Sequence, residues 1–419
     1  MNYILLVFMN LLFIIIIVNE YRVKSLSILF WSAAFLTFSL PHSLDIILGS
    51  NLYPTNVLTY ATIYVLLFNL MFLLLRSVTT YMRGKGTLKL FGEEKILYSD
   101  RENKFINCLF SLLGLSTLLL IIGIIDVSGS IINSSWSDGT RISSIFSLPA
   151  RYFFITSGSI LLFQNIIQKG VLVKFLSFIF IVINVLITRA RILLIPPIVP
   201  IAMYYIFQKD TKSSFLKSIV VATFFVIAVF FIQDFRYLGS ISNALTYDFL
   251  GILRRSIERI ISGEGEFSLR NGFYYFIYNE VNHPNFYSGA TYIRLLFLPF
   301  PSSIIKVKPR DLAMDMWDVI NPTRTGIGGT YHPTFWGDLY GNFGDYGILL
   351  FIIWVFFFSF IDYIFIKSPY IIRISLMAPY ATMYFLLARG AIYNAITIGF
   401  YSTIAISIIY LITRIKLKR

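Results

Sequence analysis

Hydrophobic residues form long runs along most of this chain. Each run is near the roughly 20 residues that an α-helix needs to cross a bilayer. The first run has no basic leading segment and no small-residue cleavage site, so we expect it to be a retained helix rather than a signal peptide. The pattern predicts an all-α polytopic membrane protein, one integral membrane domain over residues 1–419, with about 11 transmembrane helices. The eleven runs cover approximately residues 3–19, 25–41, 56–75, 105–125, 148–167, 171–188, 190–207, 216–233, 346–365, 373–388 and 391–413.

One long segment, residues 234–345, separates the eighth run from the ninth. It is rich in Tyr, Phe, Leu and Ile, which is typical of a folded segment rather than a disordered one. Helical spacing of the apolar residues at 242–261 predicts an amphipathic helix at the membrane surface. Residues 273–301 are apolar enough to dip into the bilayer as a re-entrant segment. Residues 311–318 place three aspartates on one helical face, for which we favour solvation over a divalent-cation site.

The formal net charge of +14 sorts by membrane side and does not indicate nucleic-acid binding. The connection over 76–104 carries seven Lys and Arg, whereas the connections at 42–55 and 126–147 carry none and one. The positive-inside rule therefore predicts an external N-terminus and a cytoplasmic C-terminus. The same topology makes residues 234–345 a large external loop. With ten Lys/Arg and eleven Asp/Glu this loop is close to neutral.

Four arginines lie at connections where the charge bias predicts few cations. Arg189 and Arg191 stand in a tight turn, Arg389 in the last short turn, and Arg151 near the start of the fifth run. The arginine fork fits phosphate oxygens in a bidentate manner. We predict that the set binds an anionic group. The alternative is that each arginine reaches the lipid headgroups from a helix end.

The end of the long segment, GIGGTYHPTFWGDLYGNFGDYG (Gly326 to Gly347), holds the candidates for proton transfer. His332 is the first choice, because an unperturbed imidazole titrates near neutral pH. Glu280 and Asp338 are the carboxylate alternatives, and a capping or packing role remains open for His332. His42, at a helix end, is expected to be structural.

Three aromatic residues in the same segment are candidates for stacking against sugar rings: Tyr331, Trp336 and Tyr340. A place in the core or in the interfacial aromatic belt is the alternative. Walker, HExxH, GxSxG and Rossmann patterns are absent from the sequence, which disfavours ATP-driven transport, zinc proteolysis and serine hydrolysis.

The chain resembles the Wzy-type oligosaccharide repeat-unit polymerases, relatives of the O-antigen ligases. The resemblance rests on the many short-looped helices, the late external loop, the turn TRARILLIP and the late stretch ending YGNFGDYG. The ligases show a His, about ten residues, and then GxxG, whereas here eleven residues separate His332 from Gly344. A proline follows His332 where the ligases have a small polar residue.

The resemblance implies an enzyme of the bacterial inner (cytoplasmic) membrane that works without a cofactor or metal. Its donor and acceptor would both be oligosaccharides on undecaprenyl pyrophosphate, besides membrane lipid, and a chain-length regulator is a candidate partner. His332, Glu280 or Asp338 would take the acceptor proton, and the arginines would hold the pyrophosphate. An O-antigen ligase that transfers glycan to the lipid A core is the alternative. A lipid-linked oligosaccharide flippase is disfavoured by the long loop.

Overall fold

The computed structural model describes residues 2–49, 52–82, 100–131, 133–166, 170–207, 232, 250–251, 254–255, 258, 265–279, 289–300, 308–320 and 330–414. Every regular element in those ranges is helical. The α-helices are α1 (Asn2–Arg22), α2 (Ile28–Ala34), α3 (Leu40–Leu48), α4 (Thr55–Met82), α5 (Asp100–Ser128), α6 (Trp136–Arg141), α7 (Ser144–Ser157), α8 (Ile160–Ile166), α9 (Val171–Thr188), α10 (Ile195–Phe207), α11 (Arg270–Asn279), α12 (Ala290–Leu296), α13 (Leu312–Ile320), α14 (Thr334–Phe343), α15 (Phe351–Lys367), α16 (Tyr370–Ala388) and α17 (Ile392–Arg414). A π-helix covers Phe35–Ser39, and 3₁₀ turns cover Arg191–Leu194, Gly265–Ser268 and Gly344–Leu350.

Eight helical segments in the described part of the chain are long and apolar enough to cross a membrane. The prediction of an all-helical, multi-pass membrane protein is therefore confirmed. The eight segments are Tyr3–Arg22, Thr55–Met82, Arg101–Ser128, Ser144–Ile166, Val171–Thr188, Thr334–Lys367, Tyr370–Ala388 and Ile392–Arg414.

The other three predicted spans have different outcomes. The run at 25–41 corresponds to α2, the π-helix and α3, which follow one another without a break. The π-helix comes just before Pro41, a residue that cannot donate a helical hydrogen bond. The run at 190–207 forms the shorter apolar helix Arg191–Phe207. The run at 216–233 lies almost entirely outside the described residues, so the count of eleven stays a prediction.

The chain divides into two compact units, each built from separate stretches of sequence. Unit 1 comprises Met1–Lys89, Ser262–Lys367 and Met383–Thr397, and unit 2 comprises Leu90–Ile261, Ser368–Thr382 and Ile398–Arg419. Helices α16 and α17 contribute residues to both.

The core of unit 1 is aromatic. Trp31 and Trp336 are both fully buried. The Trp336 ring centroid lies 5.5 Å from that of Phe13, and Trp31 lies 4.7 Å from Phe72, both edge-on. Edge-to-face pairs of this kind add to the stabilisation that comes from burying apolar surface.

Unit 1 also holds a buried ionic cluster between three membrane helices. Arg76 of α4 donates to Glu20 of α1 at 2.9 Å and also pairs with Asp362 of α15. Its third contact is the Ser359 hydroxyl, at 2.8 Å. The sequence pattern assigns Arg76 to a charged connection, and that assignment is wrong. Charges inside a membrane protein are tolerated where they pair, so this cluster ties the three helices together.

Unit 2 contains a network of polar side chains between α5, α7 and α9. The Asn184 amide donates to Thr117 at 2.7 Å, and the Ser116 hydroxyl lies within hydrogen-bond distance of both Asn184 (2.8 Å) and the Ala150 carbonyl (2.7 Å). Interhelical hydrogen bonds of this kind hold membrane helices in register.

Candidate functional site

The start of α14 is joined to the turn between α16 and α17. The Thr334 amide donates a hydrogen bond to the Arg389 carbonyl at 3.1 Å. Gly390 has φ +83°, and a Cβ at this position would lie 2.3 Å from the Thr334 carbonyl oxygen. This close approach therefore requires glycine. It places His332 and Arg389, two of the predicted site residues, on adjoining segments of unit 1.

The segment that carries His332 is held on both sides. The Tyr331 amide donates to the Ala313 carbonyl at 2.8 Å, and the Tyr331 hydroxyl donates to the Ser268 carbonyl at 2.6 Å. Burial raises the pKa of Tyr331, whereas the hydrogen bond from its hydroxyl to Ser268 lowers it. His332 itself is buried. The imidazole therefore belongs to a fixed backbone segment just before the N-terminus of α14.

Asp338 lies on α14, beyond His332, and only 1% of it is exposed. The Asn342 side-chain amide donates to Asp338 Oδ1 at 3.0 Å. Asn342 also anchors α12, because its Oδ1 accepts from the Thr291 amide at 3.1 Å. Asp338 Oδ2 has no hydrogen-bond partner among the described residues. Leaving such an oxygen unpaired costs about 1–3 kcal/mol.

Two further titratable residues, Tyr292 and Asp311, interact electrostatically with the Asp338 carboxylate. The Tyr292 hydroxyl is buried. Burial raises the pKa of Tyr292 well above its usual value, and the charge of Asp338 raises it further. Burial also raises the pKa of Asp311. The hydrogen bond from the Ala313 amide and the charge of Arg294 act in the opposite direction and lower it. Asp311 and Asp338 also interact with each other as like charges.

Two cations that the sequence pattern did not single out lie in the same unit. The Arg294 guanidinium stacks over the Tyr393 ring at 4.3 Å. Lys308 Nζ donates to the Tyr393 hydroxyl at 2.7 Å. Tyr393 lies in the first turn of α17, just after the Arg389 turn and 85 positions from Lys308. Hydropathy gives no signal for a contact between residues so far apart in sequence.

The four arginines predicted as a set are divided between the units. Arg389 belongs to unit 1, and Arg151, Arg189 and Arg191 belong to unit 2. Arg189 is buried with φ +47°, ends α9, and donates to the Ser134 carbonyl at 2.7 Å. Arg191 is half-buried at the start of a 3₁₀ turn, whereas Arg151 is exposed on α7.

An acidic residue accompanies Arg189. Asp138 caps α6 by accepting from the Ser135 amide at 2.7 Å. That hydrogen bond lowers the pKa of Asp138, and the charges of Arg141 and Arg189 lower it further. Burial lowers the pKa of Arg189, and Asp138 opposes the shift. Arg189 therefore helps to hold its own turn.

The aromatic candidates are placed differently from one another. Trp336 is 0% exposed and Tyr340 2% exposed, and both pack in the aromatic core. Neither has a ring face open to a sugar, so burial in the core, the alternative above, describes them better. Tyr331 is half-buried. Glu280 lies outside the described residues, as does most of 242–261.

The aspartates at 311–318 are engaged with protein groups. Arg310 contacts Asp315 at 3.2 Å and Asp318 at 2.6 Å. The Asp311 carboxylate accepts from the Ala313 amide at 3.1 Å. Asp311 and Asp315 are buried, so the expected solvated face is wrong for these two residues, and the contacts favour a structural role.

Comparison of the chain with models of protein families, with curated proteins and with solved structures finds no match. The class is therefore defined by fold and site alone. The chain is a multi-pass membrane protein in which α14, preceded by the buried His332 and carrying the buried Asp338, is hydrogen-bonded at its start to the turn of Arg389.

Proposed function

We propose that this protein is a polymerase that joins oligosaccharide repeat units carried on undecaprenyl pyrophosphate into a surface polysaccharide. The observation that carries the proposal is the α14 junction. There, His332 and Asp338 lie on one short segment whose start is hydrogen-bonded to the turn of Arg389. A transfer from a lipid pyrophosphate needs a proton acceptor and a cation, and this junction supplies both kinds of residue.

The proposed reaction is a single displacement. A hydroxyl oxygen of the acceptor repeat unit attacks the anomeric carbon of the donor. The bond from that carbon to the pyrophosphate oxygen breaks, and the lipid pyrophosphate leaves with the electron pair. The acceptor proton passes to a base, for which His332 is the first candidate and Asp338 the second. In-line attack inverts the anomeric centre.

Cations stabilise the charge that develops on the leaving pyrophosphate. We assign this role to Arg389, with Arg294 and Lys308 as further cations in unit 1. The sequence pattern separately predicts Arg151, Arg189 and Arg191, all in unit 2, as phosphate ligands. The long external loop would cover the two glycans.

The proposal includes a membrane orientation. Eleven spans with an external N-terminus and a cytoplasmic C-terminus would put the α14 junction at the outer face of the bacterial cytoplasmic membrane, where lipid-linked repeat units are presented. The charge bias of the short connections supports this orientation.

The glycan ladder of a strain that lacks the gene tests the proposal. Loss of a polymerase leaves a single repeat unit on its acceptor, and loss of a ligase leaves no repeat unit. Restoration of the full ladder by the plasmid-borne gene is the control. A normal ladder without the gene would exclude both transferase functions, and a ladder with no repeat unit would favour the ligase.

A further inference from the structure

A pocket of about 220 Å³ lies within unit 2, where the N-terminal ends of α5 and α16 meet the C-terminal end of α17. It is separate from the residues assigned to glycan transfer. The polar and aromatic side chains that line it are Arg101, Glu102, Tyr370, Tyr410, Thr413 and Arg414.

The pocket offers groups that suit a phosphate. The Arg414 guanidinium stacks over the Tyr410 ring at 4.4 Å, which orients the planar donor fork. Arg101 supplies a second guanidinium, and both arginines are exposed. Glu102 is the one carboxylate in the lining, so the two arginines leave a net positive charge. Guanidinium groups bind phosphate oxygens through paired, charge-assisted hydrogen bonds.

The helix ends contribute fixed charge of both signs. The N-terminal end of α16, at Tyr370, carries the positive end of its helix dipole. The C-terminal end of α17 carries the opposite sign, and Arg414 in its last turn compensates for it. The summed charge of the side chains and helix ends around the pocket therefore still favours binding of an anion.

The position of the pocket favours a lipid over a soluble anion. Its walls are the ends of three membrane-spanning helices, and tyrosines such as Tyr370 and Tyr410 are typical of the headgroup level. The sequence after α17 is basic, with Lys416, Lys418 and Arg419. In the proposed orientation this end is cytoplasmic, and anionic lipids of that leaflet attract such clusters.

We infer that this pocket binds the phosphate of an anionic phospholipid headgroup. Arg101 and Arg414 are the phosphate ligands, and Tyr410 holds Arg414 in place. The inference does not depend on glycan transfer, because none of these residues belongs to the α14 junction.

Binding of dioctanoyl-phosphatidylglycerol to the purified full-length protein in neutral detergent tests the inference. Native mass spectrometry or the shift of the thermal unfolding midpoint reports the affinity. The double variant Arg101→Gln/Arg414→Gln is expected to bind at least about tenfold more weakly, a loss of about 1.4 kcal/mol, because both charged phosphate ligands are removed. Lys104→Gln is the matched control, because Lys104 is exposed on the same helix but does not line the pocket.

Two comparisons complete the experiment. Arg414→Lys keeps the charge and removes the fork, so an intermediate loss is expected, and this variant serves if the double variant does not fold. Inorganic phosphate is the soluble probe, and we expect it to bind far more weakly than the lipid. Unchanged lipid binding in the arginine variants, or equal binding of lipid and inorganic phosphate, would overturn the inference.

Discussion

The backbone amide of Thr334 donates a hydrogen bond to the carbonyl oxygen of Arg389 across 3.1 Å. Thr334 itself has φ +68°, a conformation that costs a residue with a Cβ of order 1–3 kcal/mol. The two segments are therefore held together despite local strain. Strain of this kind, next to a histidine and a buried carboxylate, is what makes the α14 junction the centre of the proposed site.

Replacing Gly390 tests this junction. Gly390→Ala puts a Cβ 2.3 Å from the Thr334 carbonyl oxygen at φ +83°, so the turn must move away from α14. The strained backbone alone costs about 1–3 kcal/mol. We expect a lower thermal unfolding midpoint and a shortened glycan ladder. Gly170→Ala is the control, because it meets no atom within 4 Å and has φ −55°. Equal midpoints for the two variants would contradict the tight packing at Gly390.

A second prediction concerns the pair Arg270 and Asp45, which joins α11 to α3 in unit 1. Arg270 donates to both carboxylate oxygens of Asp45, and both residues are buried. Removal of one partner leaves an uncompensated buried charge, so Arg270→Ala is expected to lower the unfolding free energy by about 3–5 kcal/mol. Chemical denaturation in detergent measures the loss.

The double variant Asp45→Leu/Arg270→Met replaces both charges of this pair by apolar side chains. It should regain part of the loss, because neither charge then stays buried alone. Arg254→Ala is the control, since Arg254 and Glu258 form an ion pair whose side chains are 83% and 59% exposed. An exposed pair of this kind contributes at most about 1 kcal/mol. An Arg270→Ala effect no larger than that of the control would show that the buried pair is not what holds α11.

A third prediction separates two neighbouring arginines. Arg191→Gln should remove long polysaccharide while leaving the protein level intact, because this half-buried side chain is proposed as a phosphate ligand. Arg189→Gln should lower the unfolding midpoint as well, because Arg189 is buried and donates to the Ser134 carbonyl. Immunoblotting for protein level accompanies the ladder. A normal ladder for Arg191→Gln would remove this residue from the phosphate site.

The membrane helices were largely predictable from sequence, because a run of about 20 apolar residues has one stable form in a bilayer. The π-helix before Pro41 and the buried position of Arg76 were not. Both depend on partners in other helices: Arg76 is buried because Glu20 and Asp362 meet it from α1 and α15. Hydropathy along one helix carries no information on such pairing.

The sequence predicted which types of residue the candidate site contains, but not which of them lie close together in the fold. The motif pointed to His332 and Asp338, yet the structure puts Trp336 of the same motif in the core. The sequence does not predict a role for Arg294 and Lys308, because the residue that both contact, Tyr393, is remote in sequence. The expected structural role of His42 agrees with its buried hydrogen bonds to Tyr274 at 2.5 Å and Thr62 at 2.8 Å.

A fourth prediction asks which group takes the acceptor proton. His332→Ala and Asp338→Asn are compared by ladder, each at equal protein level. Loss of the base is expected to slow transfer by about 10²–10⁴-fold, enough to leave only short chains. Asp126→Asn, at an exposed carboxylate in unit 2, is the control. Normal chain length in both site variants would remove the α14 segment from the reaction.

The most direct test of the account is a reaction with purified components. The purified protein is incubated with one defined repeat unit on undecaprenyl pyrophosphate, without nucleotide sugar. The products are separated by chain length, and the released lipid pyrophosphate is measured. The account predicts lipid-linked dimers and longer chains, with one undecaprenyl pyrophosphate released for each linkage formed. Unchanged monomer under conditions where the protein stays folded would contradict it.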